Sequence, residues 1–365
     1  PIWLSKENLI QITNISIRNN RQFLDRFQKN QPSDTFLLRA QPMGIIGHWI
    51  AGNIPILGII SLVQGILTKN LNIVRVSYSF GNILSQILDS FNNVTYTNNN
   101  GKIISGSKIA KTISVIYYDK TDINFSNDLS KLVNVRVVWG GKDAVESISN
   151  LKKNVDTTDI IFGPKYSLAI IDKSFLSEKK ITQSIAQKLA FDISVYEQRG
   201  CNSPHTVFVE NKGNISIEKF CEYLGEGLEK SLKLIPKGEV SSDTVTRILN
   251  LRAQYAFTGI IKCSDGIKWT VLYMPEATGI AEPCYGRTIF VRSVNNIYDV
   301  LNKTNHHHQS IGLAIKKENK MDFVEELSKK GISRCPDIGS MSLYEIPWDG
   351  MFPMEKMVRW VSVYE

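Results

Sequence analysis

The chain has 365 residues, of which 42% are hydrophobic and 21% charged, which is enough to bury a sizeable core and long enough for two domains. Lys and Arg outnumber Asp and Glu by 43 to 35, a formal net charge of +8. The basic residues are dispersed and form no dense run interleaved with aromatics, so the charge gives no nucleic-acid groove and suits instead a phosphorylated cofactor, coenzyme A or an acidic carrier protein. Five widely spaced cysteines without a CxxC pair exclude a disulfide framework and a zinc knuckle and fit a reducing cytoplasm. No secretory signal is visible, and a chain that begins at Pro1 reads as a segment or a processed form.

From Ala40 to Thr68 the sequence contains no Asp, Glu, Lys or Arg. Its length would cross a bilayer, but Gly52-Asn53-Ile54-Pro55 interrupts it with backbone that lipid cannot satisfy. It reads as a buried strand, Ile45 to Ala51, a tight polar turn, and a buried helix, Ile56 to Thr68, and no membrane span is expected. "NIVRV" (Asn72 to Val76) is a strand, Phe80 to Phe91 a helix, and "NNVTYTNNNGK" a polar, turn-rich insertion. Strands at Thr112 to Tyr118, Val135 to Trp139, Asp159 to Phe162 and Leu168 to Ile171 alternate with helices at Asn127 to Val133 and Asp143 to Leu151. Short apolar strands alternating with helices predict a parallel sheet covered on both faces, an α/β nucleotide-binding unit over residues 40 to 175. Gly140 and Gly141, after a strand and before a helix, would let backbone approach a phosphate. Without a full GxGxxG they read equally well as turn punctuation.

Charge density jumps at "SEKK" (Ser177 to Lys180), where the domain break is placed. Beyond it, strands at Thr206 to Val209, Trp269 to Tyr273, Thr288 to Val291 and Ser310 to Ile315 alternate with helices at Ser216 to Leu234, Thr244 to Phe257, Asn295 to Asn302 and Asp322 to Lys329, a second α/β domain. Cys201 lies in "YEQRGCNSPHTVFVE", a short polar turn between a helix-like stretch and a strand-like run. A thiol there is a candidate nucleophile, and Arg199 or an exposed N–H would lower its pKa; the alternative is an inert buried cysteine. His306, His307 and His308 form a polar loop without the spacing of a metal site.

"AGNIPILGIISLVQGILTKN", "VVWGGKDAV", "IIFGPKYSLAIID", "YEQRGCNS" and "WDGMFPMEKMVRW" together resemble the bacterial long-chain acyl-CoA reductase (LuxC, fatty acid reductase) family, within the aldehyde dehydrogenase superfamily. The resemblance runs over roughly residues 40 to 362, and typical members are longer at the N-terminus. It implies that Cys201 is the nucleophile that becomes acylated and that Asn53 donates to the developing oxyanion. Arg75 matches a ribose-contacting lysine, and an arginine there favours a 2′-phosphate and hence NADPH. Gly140 and Gly141 match the phosphate-side turn. Glu282 resembles a cofactor-ribose contact, with the acidic residue displaced by one position. Ile161 replaces the glutamate that aldehyde oxidisers use to activate water, which suits a reductase. His205 and Glu197 are the nearby candidates to take the Cys201 proton, the alternative for each being a role in turn geometry or solvation.

The expectation is thus an α/β, aldehyde dehydrogenase-like fold. Residues 1–178 form an N-terminal segment and a Rossmann-like NADP(H)-binding domain. Residues 179–345 form an α/β catalytic domain, and residues 346–365 a tail packing back or on an oligomer partner. The expected activity is NADPH-dependent reduction of a long-chain acyl thioester to fatty aldehyde through acyl-Cys201. The resemblance also implies homo-oligomerisation, a cytoplasmic location, and a long-chain acyl-CoA or an acyl-protein synthetase as donor. An aldehyde-oxidising dehydrogenase of the same fold and a non-catalytic acyl-binding or scaffold subunit are the alternatives.

Overall fold

A computed structural model describes residues 2–50, 55–77, 81–98 and 100–364. The chain divides into two compact units, residues 1–164 with 344–365, and residues 165–343.

The first unit opens with α1 (Lys6–Ser16), capped by the Ser5 side chain, and β1 (Phe36–Pro42). A parallel sheet follows, built from β2 (Ile45–Trp49), α2 (Pro55–Leu67), β3 (Leu71–Arg75) and α3 (Gly81–Asp89). The polar insertion forms an exposed hairpin, β4 (Thr95–Thr97) and β5 (Ile103–Ser105), before the short α4 (Gly106–Ala110). The sheet resumes with β6 (Ile113–Ile116), α5 (Ile123–Leu132), β7 (Val135–Trp139), α6 (Lys142–Ser149) and β8 (Thr158–Phe162). Its order is β6-β3-β2-β7-β8, parallel throughout, so the winding reverses between β2 and β7.

Two buried polar groups fasten this sheet. His48, on β2, bonds Ser61 Oγ of α2 through Nδ1 (2.7 Å) and Asn72 Oδ1 of β3 through Nε2 (3.0 Å), and burial pushes its pKa down to about 4, so it is neutral at neutral pH. Arg136 interrupts the apolar run of β7 yet is fully buried. Its guanidinium donates to both carboxylate oxygens of Asp159 on β8 (2.6 and 2.8 Å), to Ser130 Oγ of α5 and to the Ile148 carbonyl of α6. One side chain thereby ties two helices to two strands.

The second unit contains β9 (Tyr166–Ile171), α7 (Lys179–Ser194), β10 (Pro204–Glu210), α8 (Ile217–Leu234), α9 (Ser242–Thr258), β11 (Ile260–Cys263), β12 (Thr270–Tyr273), β13 (Thr288–Val294), β14 (His308–Ala314) and α10 (Lys317–Lys329). Its sheet order is β11-β12-β13-β10-β9-β14, parallel except where β11 pairs with β12. α7 and α8 cover one face with Leu189, Ile193, Phe220 and Leu224, and Phe323 and Leu327 of α10 cover the other. The helix expected at Asn295 to Asn302 is a 3-10 segment, Ile297–Lys303, closed at its start by an Asn296–Asp299 capping box.

The expected domain boundary at residue 178 differs from the observed division. β9 pairs with β10 and β14 and so belongs to the second sheet, although its apolar run looks like one more strand of the first. The chain then returns to the first unit, where β15 (Val358–Tyr364) pairs antiparallel with β1 from Phe36↔Tyr364 to Pro42↔Val358. Among the described residues no helix is long and apolar enough to cross a membrane.

Asp192, on α7, anchors the loop before residue 343. Its carboxylate accepts from the N–H groups of Gly339 (2.5 Å) and Met341 (3.1 Å), while burial, against those bonds, pushes its pKa up to about 7.

Two predictions follow from these buried charges. Arg136→Ala leaves Asp159 partly solvated and still paired with Lys153, so the expected loss is about 3 kcal/mol, at the low end for a broken buried pair, read from denaturant unfolding. For Asp192, the folded fold holds a proton more tightly than the unfolded chain. The stabilisation linked to that proton is fully present below the ordinary value of 3.8 and is lost as pH rises through about 7. The melting temperature of wild type minus that of Asp192→Asn should therefore fall between about pH 4 and 7, and a difference that grows with pH would contradict this assignment.

Candidate active site

The reversal of winding in the first sheet brings three strand ends to one carboxyl edge. Trp49 closes β2, Arg75 closes β3 and Trp139 closes β7. Open α/β sheets bind ligands at such a switch point because the loops on either side diverge there. A cavity of about 580 Å³ occupies it, lined by these three residues, Gly140, Gly141 and the facing sides of α5 and α6. The Arg75 guanidinium stands 5.4 Å from the ring centre of Tyr118, whose hydroxyl accepts from Trp49 Nε1 at 3.2 Å. Trp139 stacks on Phe162 with ring centres 3.8 Å apart.

The two glycines have different surroundings. A Cβ on Gly140 would lie 2.9 Å from Ala144 Cβ, so a side chain there would push α6 off its strand. On Gly141 it would meet nothing within 4 Å, and Gly141 caps α6 without any side-chain hydrogen bond. The first N–H groups of α6 therefore lie beside an open approach, as a phosphate requires, with Asp143 in the same turn as a counterweight. An arginine, a glycine turn, a helix start and an apolar slot between two helices fit a dinucleotide.

In the second unit, α7 ends at Ser194 and the chain reaches Cys201 through a 3-10 turn, Val195–Gln198. Tyr196, Glu197 and Gln198 all have left-handed backbone, with φ of 53°, 53° and 62°. For non-glycine residues this costs about 1–2 kcal/mol each, so side-chain bonds must hold it. Gln198 is fully buried. Its amide donates to the carbonyls of Pro204 (2.9 Å) and Thr288 (3.0 Å) and accepts from the Thr288 N–H (2.7 Å), which places it across the starts of β10 and β13.

Glu197 is buried too, and its carboxylate accepts from Arg287 Nε (2.9 Å) and Nη2 (2.6 Å), Lys237 Nζ (2.6 Å) and the Gly238 N–H (3.0 Å). A Cβ on Gly200 would lie 2.6 Å from Asn202 Oδ1, so a side chain there would displace the Asn202 amide. Cys201 is half-buried and is a thiol, like the other four cysteines. Its carbonyl accepts from Ser167 Oγ on β9 at 2.7 Å, and Asn202 Nδ2 donates to the Met341 carbonyl at 2.9 Å. Ser167 thus fixes the Cys201 carbonyl, and the Asn202 side chain ties the next residue to the main chain at Met341.

The sequence-predicted residues are placed as follows. Arg75, Gly140 and Gly141 share the cavity of the first unit. Asn53 lies outside the described residues. Ile161 sits on β8, partly buried against the apolar cluster around Trp49 and Val138. Glu282 projects from the surface of the second unit, its side chain 90% exposed, in an ion pair with Arg247 at 3.1 Å, and it does not line the cavity. His205 is buried on β10, its ring edge-on to Tyr285, with no hydrogen-bond partner at Nδ1, and burial pushes its pKa down to about 4. An imidazole that weak is a poor acceptor for the proton of a thiol whose ordinary pKa is about 8.5. The Glu197 carboxylate is fully engaged as well, so neither residue has the surroundings of a base for Cys201. Among the described residues no cluster of three His, Cys, Asp or Glu side chains could hold a metal ion.

Arg287, Lys237 and Ser167 were missed from sequence. The one available signal was Arg287 itself, a charge abutting the apolar run "TIFV" of a fully buried strand start.

Comparison with known proteins agrees with this architecture. The family model described as Acyl-CoA reductase (LuxC) matches residues 1–360. The chain is 26% identical over 336 residues to a long-chain acyl-protein thioester reductase of Aliivibrio fischeri, covering 91% of this chain and 66% of that protein. It is 25% identical over 367 residues to one from Photobacterium phosphoreum, covering 99% and 70%. The chain thus spans about two thirds of the length of these relatives. Among solved structures, lactaldehyde dehydrogenase from Escherichia coli superposes with a TM-score of 0.62 at 12% identity, over 98% of this chain and 82% of that one. An NAD-dependent benzaldehyde dehydrogenase from Corynebacterium glutamicum gives 0.60 at 14%, over 97% and 76%. The fold is that of the aldehyde dehydrogenases, and the chain belongs to the LuxC family of acyl-CoA reductases.

Proposed function

We propose that this chain carries out NADPH-dependent reduction of a long-chain acyl thioester to the fatty aldehyde, with the acyl group held on Cys201. The observation that carries the reading is the setting of Cys201. Its thiol follows a turn of three left-handed residues, and its carbonyl is fixed by Ser167. Fixing the main chain around a half-exposed thiol orients it for attack. The names of the relatives, long-chain acyl-protein thioester reductases, support the substrate class.

In this reading the Cys201 thiolate attacks the acyl carbonyl, and the donor leaves as its thiol after taking up a proton. A nicotinamide cofactor, when bound, would supply the hydride for the acyl carbon. Collapse of the tetrahedral carbon releases the aldehyde, and the Cys201 thiolate regains a proton from solvent, so acyl-Cys201, one hydride and one proton give aldehyde and free thiol. Asn53 is proposed to donate to the carbonyl oxygen as it gains charge. Ile161 stands where aldehyde oxidisers carry a water-activating carboxylate, which suits an acyl-enzyme that must not be hydrolysed. Arg75, Gly140 and Gly141 would hold the cofactor, with Arg75 on the 2′-phosphate of NADPH. The donor would be long-chain acyl-CoA or an acyl-protein partner, the working form a homo-oligomer, and the compartment a reducing one such as the cytoplasm.

Cys201→Ala should abolish acyl-thioester-dependent NADPH oxidation while NADPH binding, followed by quenching of tryptophan emission, is retained. Turnover that survives the substitution removes Cys201 from the chemistry. Arg75→Gln should weaken NADPH binding about tenfold or more and NADH binding much less. Equal losses for the two nucleotides would discard the 2′-phosphate contact.

A further inference from the structure

Two runs of left-handed backbone meet beneath the nucleophile turn. The first is Tyr196, Glu197 and Gln198; the second is Tyr285 (φ 68°), Gly286 (63°) and Arg287 (59°). They are joined by the Glu197–Arg287 ion pair, by the Gly286 N–H donating to the Glu197 carbonyl (3.1 Å), and by the Gln198–Thr288 bonds that follow directly. Lys237 closes the cluster by donating to Glu197 Oε2 (2.6 Å) and to the Gly286 carbonyl (3.0 Å), and Arg287 Nη2 donates to the Pro236 carbonyl (3.0 Å). Arg287 is fully buried and Glu197 nearly so.

Replacing a buried ion pair by apolar residues is often neutral or stabilising, so stability alone is a weak reason for three charges here. What the cluster does geometrically is specific. It holds six left-handed residues, in two runs of three, that would otherwise relax, and the first run ends three positions before Cys201. The second run seats Tyr285 edge-on against His205, four residues after Cys201, so both approaches to the thiol are braced from one cluster.

We infer that Glu197 and Arg287 are positioning residues, a clamp that sets where the Cys201 thiol stands relative to an acyl carbonyl. This rests on the reading of Cys201 as the acyl carrier. Neither residue touches the reacting atoms in this assignment; each acts through the turn.

The test compares two reactions of the same thiol in the full chain. Acylation by palmitoyl-CoA needs an oriented attack, whereas alkylation by iodoacetamide does not. Single-turnover acylation of Cys201, read by intact mass, should fall at least tenfold in Glu197→Gln and in Arg287→Met. Iodoacetamide labelling of Cys201 should stay within about threefold of wild type, and buried Cys221 should stay unlabelled as the check on folding. Lys237→Met, which leaves the Glu197–Arg287 pair in place, should give a smaller loss of acylation with the same labelling pattern, and it serves if the buried variants do not fold.

Unchanged acylation in the folded variants overturns the clamp. So does a fall matched by equal loss of alkylation, or one accompanied by labelling of Cys221, since either marks general disruption. Failure of the wild type itself to acylate Cys201 overturns the proposed function, and is distinct because it appears before any substitution.

Discussion

The amide of Gln198 stands where main-chain bonds between β10 and β13 would otherwise continue. The ladder between these strands begins at Thr206↔Phe290, and one step earlier the side chain bonds Pro204 and both main-chain polar groups of Thr288. Proline brings no N–H to a ladder, so the two strands cannot close on each other at this end without leaving buried groups unpaired. The side chain satisfies them only if residue 198 adopts left-handed backbone and reaches inward. That requirement bends the chain between α7 and β10, and Cys201 stands in the bend. An apolar residue at 198 would orphan three buried main-chain groups, each of which costs about 1–3 kcal/mol.

The two units solve the same problem, how to present polar groups at the edge of a buried parallel sheet, in different ways. In the first, reversal of strand order opens the edge between β2 and β7, and bulky strand-end residues and a glycine turn form the wall of a slot. Arg136 keeps α5 and α6, which supply the rest of that wall, at fixed spacing by bonding both together with the sheet. In the second, Ser167 of β9, Arg287 just before β13 and the Met341 carbonyl in the loop before residue 343 hold a single turn. A slot suits an extended ligand of fixed shape, whereas a locked turn suits one atom that must be placed accurately.

Local patterns in the sequence located elements well where the signal was itself local. β7 was read at its observed bounds, Val135 to Trp139, because a run of apolar β-branched residues ends at two glycines. The helix read from Ser216 starts at its serine cap, whereas the one read from Thr244 starts two residues earlier, behind the Ser241 cap. β1 and β15 escaped because they pair across nearly the whole chain and alternate poorly between buried and exposed positions. β9 was assigned to the wrong sheet for a related reason: an apolar strand shows that it is buried, not beside which neighbours. The turn that holds Cys201 was legible through its motif, but the Glu197–Arg287 pair beneath it was not. Glu197 and Arg287 are ninety positions apart, and nothing local marks a glutamate as structural rather than basic until its partners are seen. The same holds for His205, whose proximity in sequence to Cys201 suggested a base and whose burial in the fold makes it a poor one.

The central claim is that Cys201 carries the acyl group between donor and hydride. Its most direct test is the intact mass of the chain after mixing with a long-chain acyl-CoA, followed by peptide mapping and then a chase with NADPH. The account predicts one acyl adduct, on the peptide containing Cys201, that disappears on addition of NADPH as fatty aldehyde is released in equal amount. An adduct on another residue, or one on Cys201 that NADPH leaves intact, would contradict it.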